Sequence, residues 1–173
     1  VLACFVDDFF YFGKRQDILR ENAELSKLLI LLEEPTVETA ECKISDVLGI
    51  RAMFTKFGPR KLFLSQSGYV KKLLTRFGGD DGRTVKSPIE SEPDYRGDSD
   101  PELEKLKMEL TGSLQYLCMT RPDIAVALKM LSRAPANAST ITGLKRIVRY
   151  LRTPRALVFE RRVGQNDNRA HLV

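Results

Sequence analysis

The chain has 173 residues, of which 43% are hydrophobic and 29% charged, and its net charge is +5. This length suits one domain or two small lobes. Because apolar runs such as residues 28–32 are too short to cross a bilayer and no segment resembles a signal peptide, we expect a soluble, intracellular protein. The single histidine, His171, excludes His-based catalytic triads and most zinc sites. Three isolated cysteines without metal-ligand spacing are expected to be reduced.

The first distinctive stretch is CFVDDFFYFG, residues 4–13, in which Asp7 and Asp8 interrupt an apolar, aromatic run. The pattern predicts a strand, a tight turn and a second strand. One interpretation is that the two aspartates simply form the turn. In the other, the adjacent carboxylates, which repel each other unless a cation lies between them, hold a divalent metal such as Mg²⁺. The residues alone leave both interpretations open.

The next elements are a helix and a second hairpin. Apolar residues recur at helical spacing from Lys14 to Glu34, and Pro35 is expected to end that helix. Residues 47–56 and 61–65 read as strands on either side of FGPR, which has Gly and Pro where a hairpin would turn.

A helix is then predicted from Gln66 to Phe77, and residues 79–101, rich in Gly, Pro, Ser and Asp, are expected to be an exposed connector. Beyond it the pattern is helical. A leucine stripe marks one helix, and TRPD predicts the start of another, with Thr120 as its cap and Asp123 completing a capping box. A third stripe consists of Leu144, Ile147, Val148 and Leu151, and ALVFE after it reads as a strand.

Charge is distributed unevenly along the chain. Residues 90–109 contain eight acidic and three basic side chains, whereas residues 121–162 contain ten basic side chains and two acidic ones. Lys145, Arg149 and Arg152 share the face of the third helix opposite its apolar stripe, and Arg146 flanks them. This arrangement is typical either of a surface that contacts nucleic-acid phosphates or of an ordinary solvated helix face.

Taken in order, five blocks of the chain resemble the reverse transcriptase of copia-type LTR retrotransposons. FVDD is similar to that family's YVDD motif, and LGIR with RKLFLSQSGYVKKLLTRFG is similar to its LGI and LSQ..Y...LL..F segment. KSPI stands at the position of its TP. GSLQYLCMTRPDIAVALKMLSR and LKRIVRYLRTPRALVF are similar to its later blocks. The resemblance extends from Phe5 to roughly Glu160. Within this range the sequence differs from the family pattern at Phe5, at TVETAEC and at Thr140.

The resemblance implies an α+β fold. It places palm-like β-hairpins with a packing helix in residues 1–78, an exposed linker in 79–101 and a mostly helical thumb and connection lobe in 102–162. Residues 163–173 are expected to be a ragged tail before an absent ribonuclease H domain. Since the chain starts at the VDD motif, the fingers and the upstream catalytic aspartate are also expected to be absent, and the fragment to be inactive alone.

The resemblance also implies the site residues. Asp7 and Asp8 would be catalytic ligands of two Mg²⁺ or Mn²⁺ ions, and Leu48, Gly49 and Ile50 would support the primer. Contacts to the nucleic-acid backbone would come from Lys145, Arg146, Arg149 and Arg152. The expected partners are an RNA template, a DNA primer, deoxynucleoside triphosphates and the remainder of the polyprotein, in the cytoplasm or nucleus and without a membrane. The alternative is a non-catalytic nucleic-acid-binding or scaffold remnant that uses the basic helices.

Overall fold

The structure, a computed structural model, describes residues 2–5, 8–11, 14–31, 36–58, 60–78, 82–161 and 168–173. The chain divides into two compact units, Val1–Pro35 and Thr36–Val173. Helices and antiparallel strands occur in separate stretches of the chain, which confirms the predicted α+β class.

The first unit contains a β-hairpin and one helix. Strands β1 (Leu2–Phe5) and β2 (Asp8–Tyr11) pair antiparallel with Phe5 opposite Asp8, so residues 6 and 7 connect them. The two predicted strands are therefore confirmed, but the interpretation that both aspartates form the turn is wrong for Asp8, which lies in β2. The packing of a helix on this hairpin, which the resemblance implies, concerns side chains outside the described ones.

Helix α1 is shorter than expected. It spans Arg15–Leu25, so the prediction that it continues to Glu34 is wrong. Ser26 is its C-cap, and the Ser26 hydroxyl donates to the carbonyl of Asn22, which also accepts the Ser26 backbone N–H. No residue of α1 is buried, and beyond its end Leu28 and Ile30 are 81% and 94% exposed. The apolar spacing thus lacks the packing that stabilises most protein helices.

The second unit contains a six-stranded antiparallel sheet whose strand order follows the chain. The strands are β3 (Val37–Glu38), β4 (Cys42–Val47), β5 (Ile50–Thr55), β6 (Arg60–Ser65), β7 (Leu157–Arg161) and β8 (Asn168–Leu172). The hairpin formed by β5 and β6 is confirmed, but a strand over 47–56 is wrong at its start because Val47 ends β4. Strand β8 lies within the expected tail and pairs with β7.

Four helices of this unit form the core: α2 (Ser67–Phe77), α3 (Pro101–Leu117), α4 (Ala125–Arg133) and α5 (Ala138–Tyr150). Their predicted apolar stripes are buried against one another, with Leu110, Leu114 and Leu144 fully inaccessible. Residues 82–100 have no helix or strand, although Val85 and Ile89 pack on the core. Helices on both sides of the predicted linker therefore share one core. Among the described residues, no helix is long and apolar enough to cross a membrane.

The predicted capping box at Thr120 is wrong. A short 3₁₀ turn, Pro122–Ile124, comes first and α4 begins only at Ala125. The hydroxyl of Thr120 instead donates to the side-chain oxygen of Gln66, at 2.7 Å, in the buried interior. Asp123 binds Arg121. Thr120 thus has a tertiary partner and Asp123 a charged partner. These interactions are stronger than the local cap that the two side chains would have formed.

Candidate functional site

The two predicted metal ligands lie in the first hairpin. Asp8 is the first residue of β2, and Asp7 lies outside the described residues. Asp8 pairs with Phe5, so it lies at the end of β2 that the chain connects to β1. The described part of the chain contains no group of three His, Cys, Asp or Glu residues that could hold an ion. The metal-binding role of Asp7 and Asp8 stays a prediction.

The predicted primer-supporting residues form a tight turn between β4 and β5. Val47 pairs with Ile50, and the two residues between them have positive φ angles, 50° for Leu48 and 72° for Gly49. Positive φ at both positions defines the type I′ turn that matches the twist of a two-residue hairpin. Leucine rarely adopts this conformation, since its Cβ crowds the backbone.

Tyr116 of α3 holds this turn in place. Its hydroxyl donates a hydrogen bond to the carbonyl oxygen of Leu48. Its ring packs edge-to-face on Tyr69 of α2, with centroids 5.0 Å apart. A Cβ atom at Gly49 would lie 2.8 Å from the Tyr116 hydroxyl oxygen, so only glycine fits there without a shift. The turn is thereby fixed to two core helices.

Sequence reasoning missed both tyrosines, although each had a signal. Tyr116 and Tyr69 lie inside the GSLQYL and LSQSGYV blocks that carry the family resemblance. A tyrosine on a helix face is usually assigned to packing, which here is only part of its role.

The four predicted phosphate-contacting residues lie on or just after α5. Lys145, Arg146 and Arg149 are in the helix and Arg152 follows it, and all four side chains are half-buried. Arg146 pairs with Glu90 at 2.7 Å and donates to the carbonyl of Ser87 at 3.2 Å. Arg149 and Arg152 also have interactions within the chain. The basic face of α5 is therefore less exposed to solvent than a freely solvated helix face would be.

A second charged group, which sequence reasoning read as a helix cap, lies in the interior. Arg121 is 3% exposed and binds Asp123 through two hydrogen bonds of 3.0 and 2.9 Å. It also donates to the carbonyl of Thr153 and lies over the ring of Tyr150, 5.4 Å from the centroid. This arrangement satisfies the buried charge and joins α4 to the end of α5.

Electrostatics around Asp123 favour its ionised form. Burial acts to raise the pKa of Asp123, but the hydrogen bonds and charge of Arg121, with contributions from Tyr150 and Arg155, outweigh it and hold that pKa below the ordinary value. Burial and the hydrogen bond to Asp123 raise the pKa of Tyr150. The TRPD block therefore forms a closed ion-pair network that stabilises the fold.

Comparison with known proteins identifies relatives among transposon polyproteins. The chain is 37% identical over 109 residues to the retrovirus-related Pol polyprotein from transposon RE1 of Arabidopsis thaliana. That match covers 60% of the chain and 7% of the relative. It is 27% identical over 164 residues to the corresponding polyprotein from transposon TNT 1-94 of Nicotiana tabacum, covering 88% of the chain and 12% of the relative.

An uncharacterized mitochondrial protein of Arabidopsis thaliana is 28% identical over 160 residues, which cover 87% of the chain and 60% of that protein. No family model and no solved structure matches the chain. The chain spans about a tenth of the length of the Pol polyproteins it matches. As its motifs predicted, the chain is a relative of the retrovirus-related Pol polyproteins of copia-type plant transposons and corresponds to a small segment of them.

Proposed function

We propose that this chain is the segment of a retrotransposon reverse transcriptase that carries the VDD hairpin, the primer-supporting turn and the thumb. The observation that carries the proposal is the register of the first hairpin, which pairs Phe5 with Asp8 and so places the second aspartate of FVDD at the connected end of β2. The relatives support it because they are retrovirus-related Pol polyproteins.

In this proposal Asp7 and Asp8 hold Mg²⁺ or Mn²⁺, which when bound supplies two-metal nucleotidyl transfer onto a primer 3′-hydroxyl. The chain's own contribution is positioning. The Leu48–Gly49 turn supports the primer end, and its attachment to Tyr116 suits that task because the backbone there is held by a core helix. Deoxynucleoside triphosphates, an RNA template and the rest of the polyprotein are the proposed partners, inside the cell.

Primer extension tests the catalytic part. We expect no extension by the 173-residue chain with Mg²⁺, because two adjacent carboxylates supply too few ligands. A longer polyprotein segment that adds the upstream polymerase region should extend a primer, and Asp7→Asn should abolish that activity while leaving the thermal unfolding of the protein unchanged. Full activity of the Asp7→Asn protein would refute the assignment.

A salt titration tests the proposed thumb contacts. If Lys145, Arg149 and Arg152 contact phosphates of an RNA–DNA hybrid, each neutralised contact contributes roughly 0.7 to 0.9 to the slope of log affinity against log salt. The triple alanine variant should then flatten the slope by about two to three units. A matched control removes the same charge from exposed residues elsewhere, with Lys105, Lys129 and Arg133 changed to alanine. Equal slopes for both variants would show that the helix face is not a contact surface.

The second candidate function is a nucleic-acid-binding or scaffold remnant without catalysis. The helical core supports it, since α2 to α5 pack on one another within the second unit. Hybrid binding that depends on the basic residues, combined with no extension by the longer segment, would favour this candidate over the polymerase.

A further inference from the structure

One face of the six-stranded sheet carries a row of large apolar side chains that remains open to solvent. Phe54 on β5 pairs with Leu62 on β6, and Leu62 pairs with Phe159 on β7. Directly paired residues of antiparallel strands lie on the same face of a sheet. Phe54 and Phe159 are 44% and 41% exposed, and Leu62 is half-buried between them. The sheet thus presents two phenyl rings two strands apart, or about 9.5 Å at the usual strand spacing.

Basic residues border this row. Lys43 on β4 pairs directly with Phe54 and is exposed. Arg60 precedes Leu62 by two residues on β6, so it lies on the same face, and it too is exposed. Neither forms a salt bridge with any residue in the described stretches. Glu38, which pairs with Lys43 at the sheet edge, binds the ammonium of Lys56 at 2.9 Å. The available charge beside the rings is therefore positive.

We propose that this face, Phe54, Leu62 and Phe159 with Lys43 and Arg60, binds single-stranded nucleic acid by stacking bases on the two phenyl rings. Antiparallel sheets that carry exposed aromatic rings stack unpaired bases in this way, while neighbouring basic side chains bind the phosphates. A duplex cannot use the rings, because its bases are already stacked within the helix. The charge beside the rings favours this polyanion over an apolar protein partner.

This inference goes beyond the proposed function, since it adds a site for an unpaired strand that is separate from the basic helix. The two are experimentally distinguishable. The contacts of α5 are tested with an RNA–DNA hybrid, whereas the sheet face is tested with an oligonucleotide that has no partner strand.

The test is fluorescence anisotropy of a labelled 12-nucleotide oligo(dT) and of the same oligo(U) with the full chain at low salt. Stacking on an aromatic ring contributes about 1–3 kcal/mol per base in alanine substitutions, so Phe54→Ala and Phe159→Ala should each weaken binding by roughly 5- to 150-fold. Phe57→Ala is the matched control, because Phe57 is 75% exposed but lies in the turn after β5, outside the row. It should leave affinity within about twofold.

Conservative variants separate stacking from general apolar contact and from misfolding. Phe54→Leu and Phe159→Leu keep apolar area and lose the ring, so they should lose affinity like the alanine variants, whereas Phe54→Trp and Phe159→Trp should retain it. Lys43→Ala with Arg60→Ala should lower the salt slope by about 1.4, with roughly 0.7 for each single-strand phosphate. Unchanged single-strand affinity in the leucine variants would overturn the proposal.

Discussion

Gly49→Ala provides the sharpest test of how the primer-supporting turn is held. An L-residue at the φ of Gly49, 72°, costs about 1–2 kcal/mol relative to glycine. The new Cβ would also lie 2.8 Å from the hydroxyl oxygen of Tyr116, which must swing away and lose its bond to Leu48, at a further cost of about 1 kcal/mol. We therefore expect the free energy of unfolding to fall by about 2–3 kcal/mol.

The chain offers a matched control for this change. Gly58 has nearly the same φ, 70°, but a Cβ there would meet nothing within 4 Å. Gly58→Ala should lower the free energy of unfolding only by the cost of an L-residue at positive φ, about 1–2 kcal/mol. In a Tyr116→Phe background the clash is absent, so Gly49→Ala and Tyr116→Phe should be non-additive by about 1 kcal/mol, whereas Gly58→Ala and Tyr116→Phe should be additive.

Urea unfolding followed by circular dichroism measures these differences. Equal losses for Gly49→Ala and Gly58→Ala would refute the reasoning, because they would show that Tyr116 places no constraint on the turn. Additivity of Gly49→Ala with Tyr116→Phe would refute it as well.

Three further changes test the interior. Asp123→Asn removes the partner of the buried Arg121 and should cost about 3–5 kcal/mol in urea unfolding, whereas Asp46→Asn in the exposed Arg51 pair should destabilise the protein far less. Because the pKa of Asp123 is lowered, its stabilisation is present above the ordinary aspartate pKa near 3.9 and is lost as pH falls through the lower folded pKa. The difference between native and Asp123→Asn stabilities should therefore shrink in acid titrations, and a constant difference would contradict the assignment. Thr120→Val should cost about 1–3 kcal/mol because it leaves the buried Gln66 oxygen without its donor, while Thr142→Val, at an exposed hydroxyl, should change stability by less than about 1 kcal/mol. Burial raises the pKa of the Cys118 thiol, so alkylation by iodoacetamide, followed by mass spectrometry at pH 8, should be slower at Cys118 than at a model thiol, and an equal rate would be inconsistent with that burial.

The helical core could be predicted from the sequence because its signal is local. The stripes in α2, α3 and α5 have helical spacing, and their leucines, isoleucines and valines are buried or partly buried in the core. Helix caps also depend on residues close in sequence. At the start of α5, for example, the side chain of Asn137 accepts a hydrogen bond from the N–H of Thr140. Such features depend on neighbours a few residues away.

The remaining features depend on partners far away in the chain. The residues VLGI have the pattern of one strand. They do not indicate that Leu48 adopts a positive φ, because the hydroxyl that stabilises this conformation comes from Tyr116. Thr120 satisfies the pattern of a cap, yet its partner is Gln66. The half-burial of Arg146 likewise results from Glu90 and Ser87 in the connector. Periodicity cannot identify such partners, whereas the collinear family resemblance pointed to the blocks that contain most of them.

The sheet order has a consequence for how the second unit forms. Strands β6 and β7 are hydrogen-bonded neighbours, yet residues 66–156, which include helices α2 to α5, lie between them in the chain. Pairing β3 to β6 closes only short loops. Pairing β7 with β6 closes the long segment between them, and forming helices α2 to α5 first reduces the distance that this segment must span. Until then β6 is an edge strand with unpaired backbone groups. During synthesis the helices thus emerge before the sheet can be completed, and a ribosome-bound intermediate exposes an edge on which intermolecular strand pairing can begin.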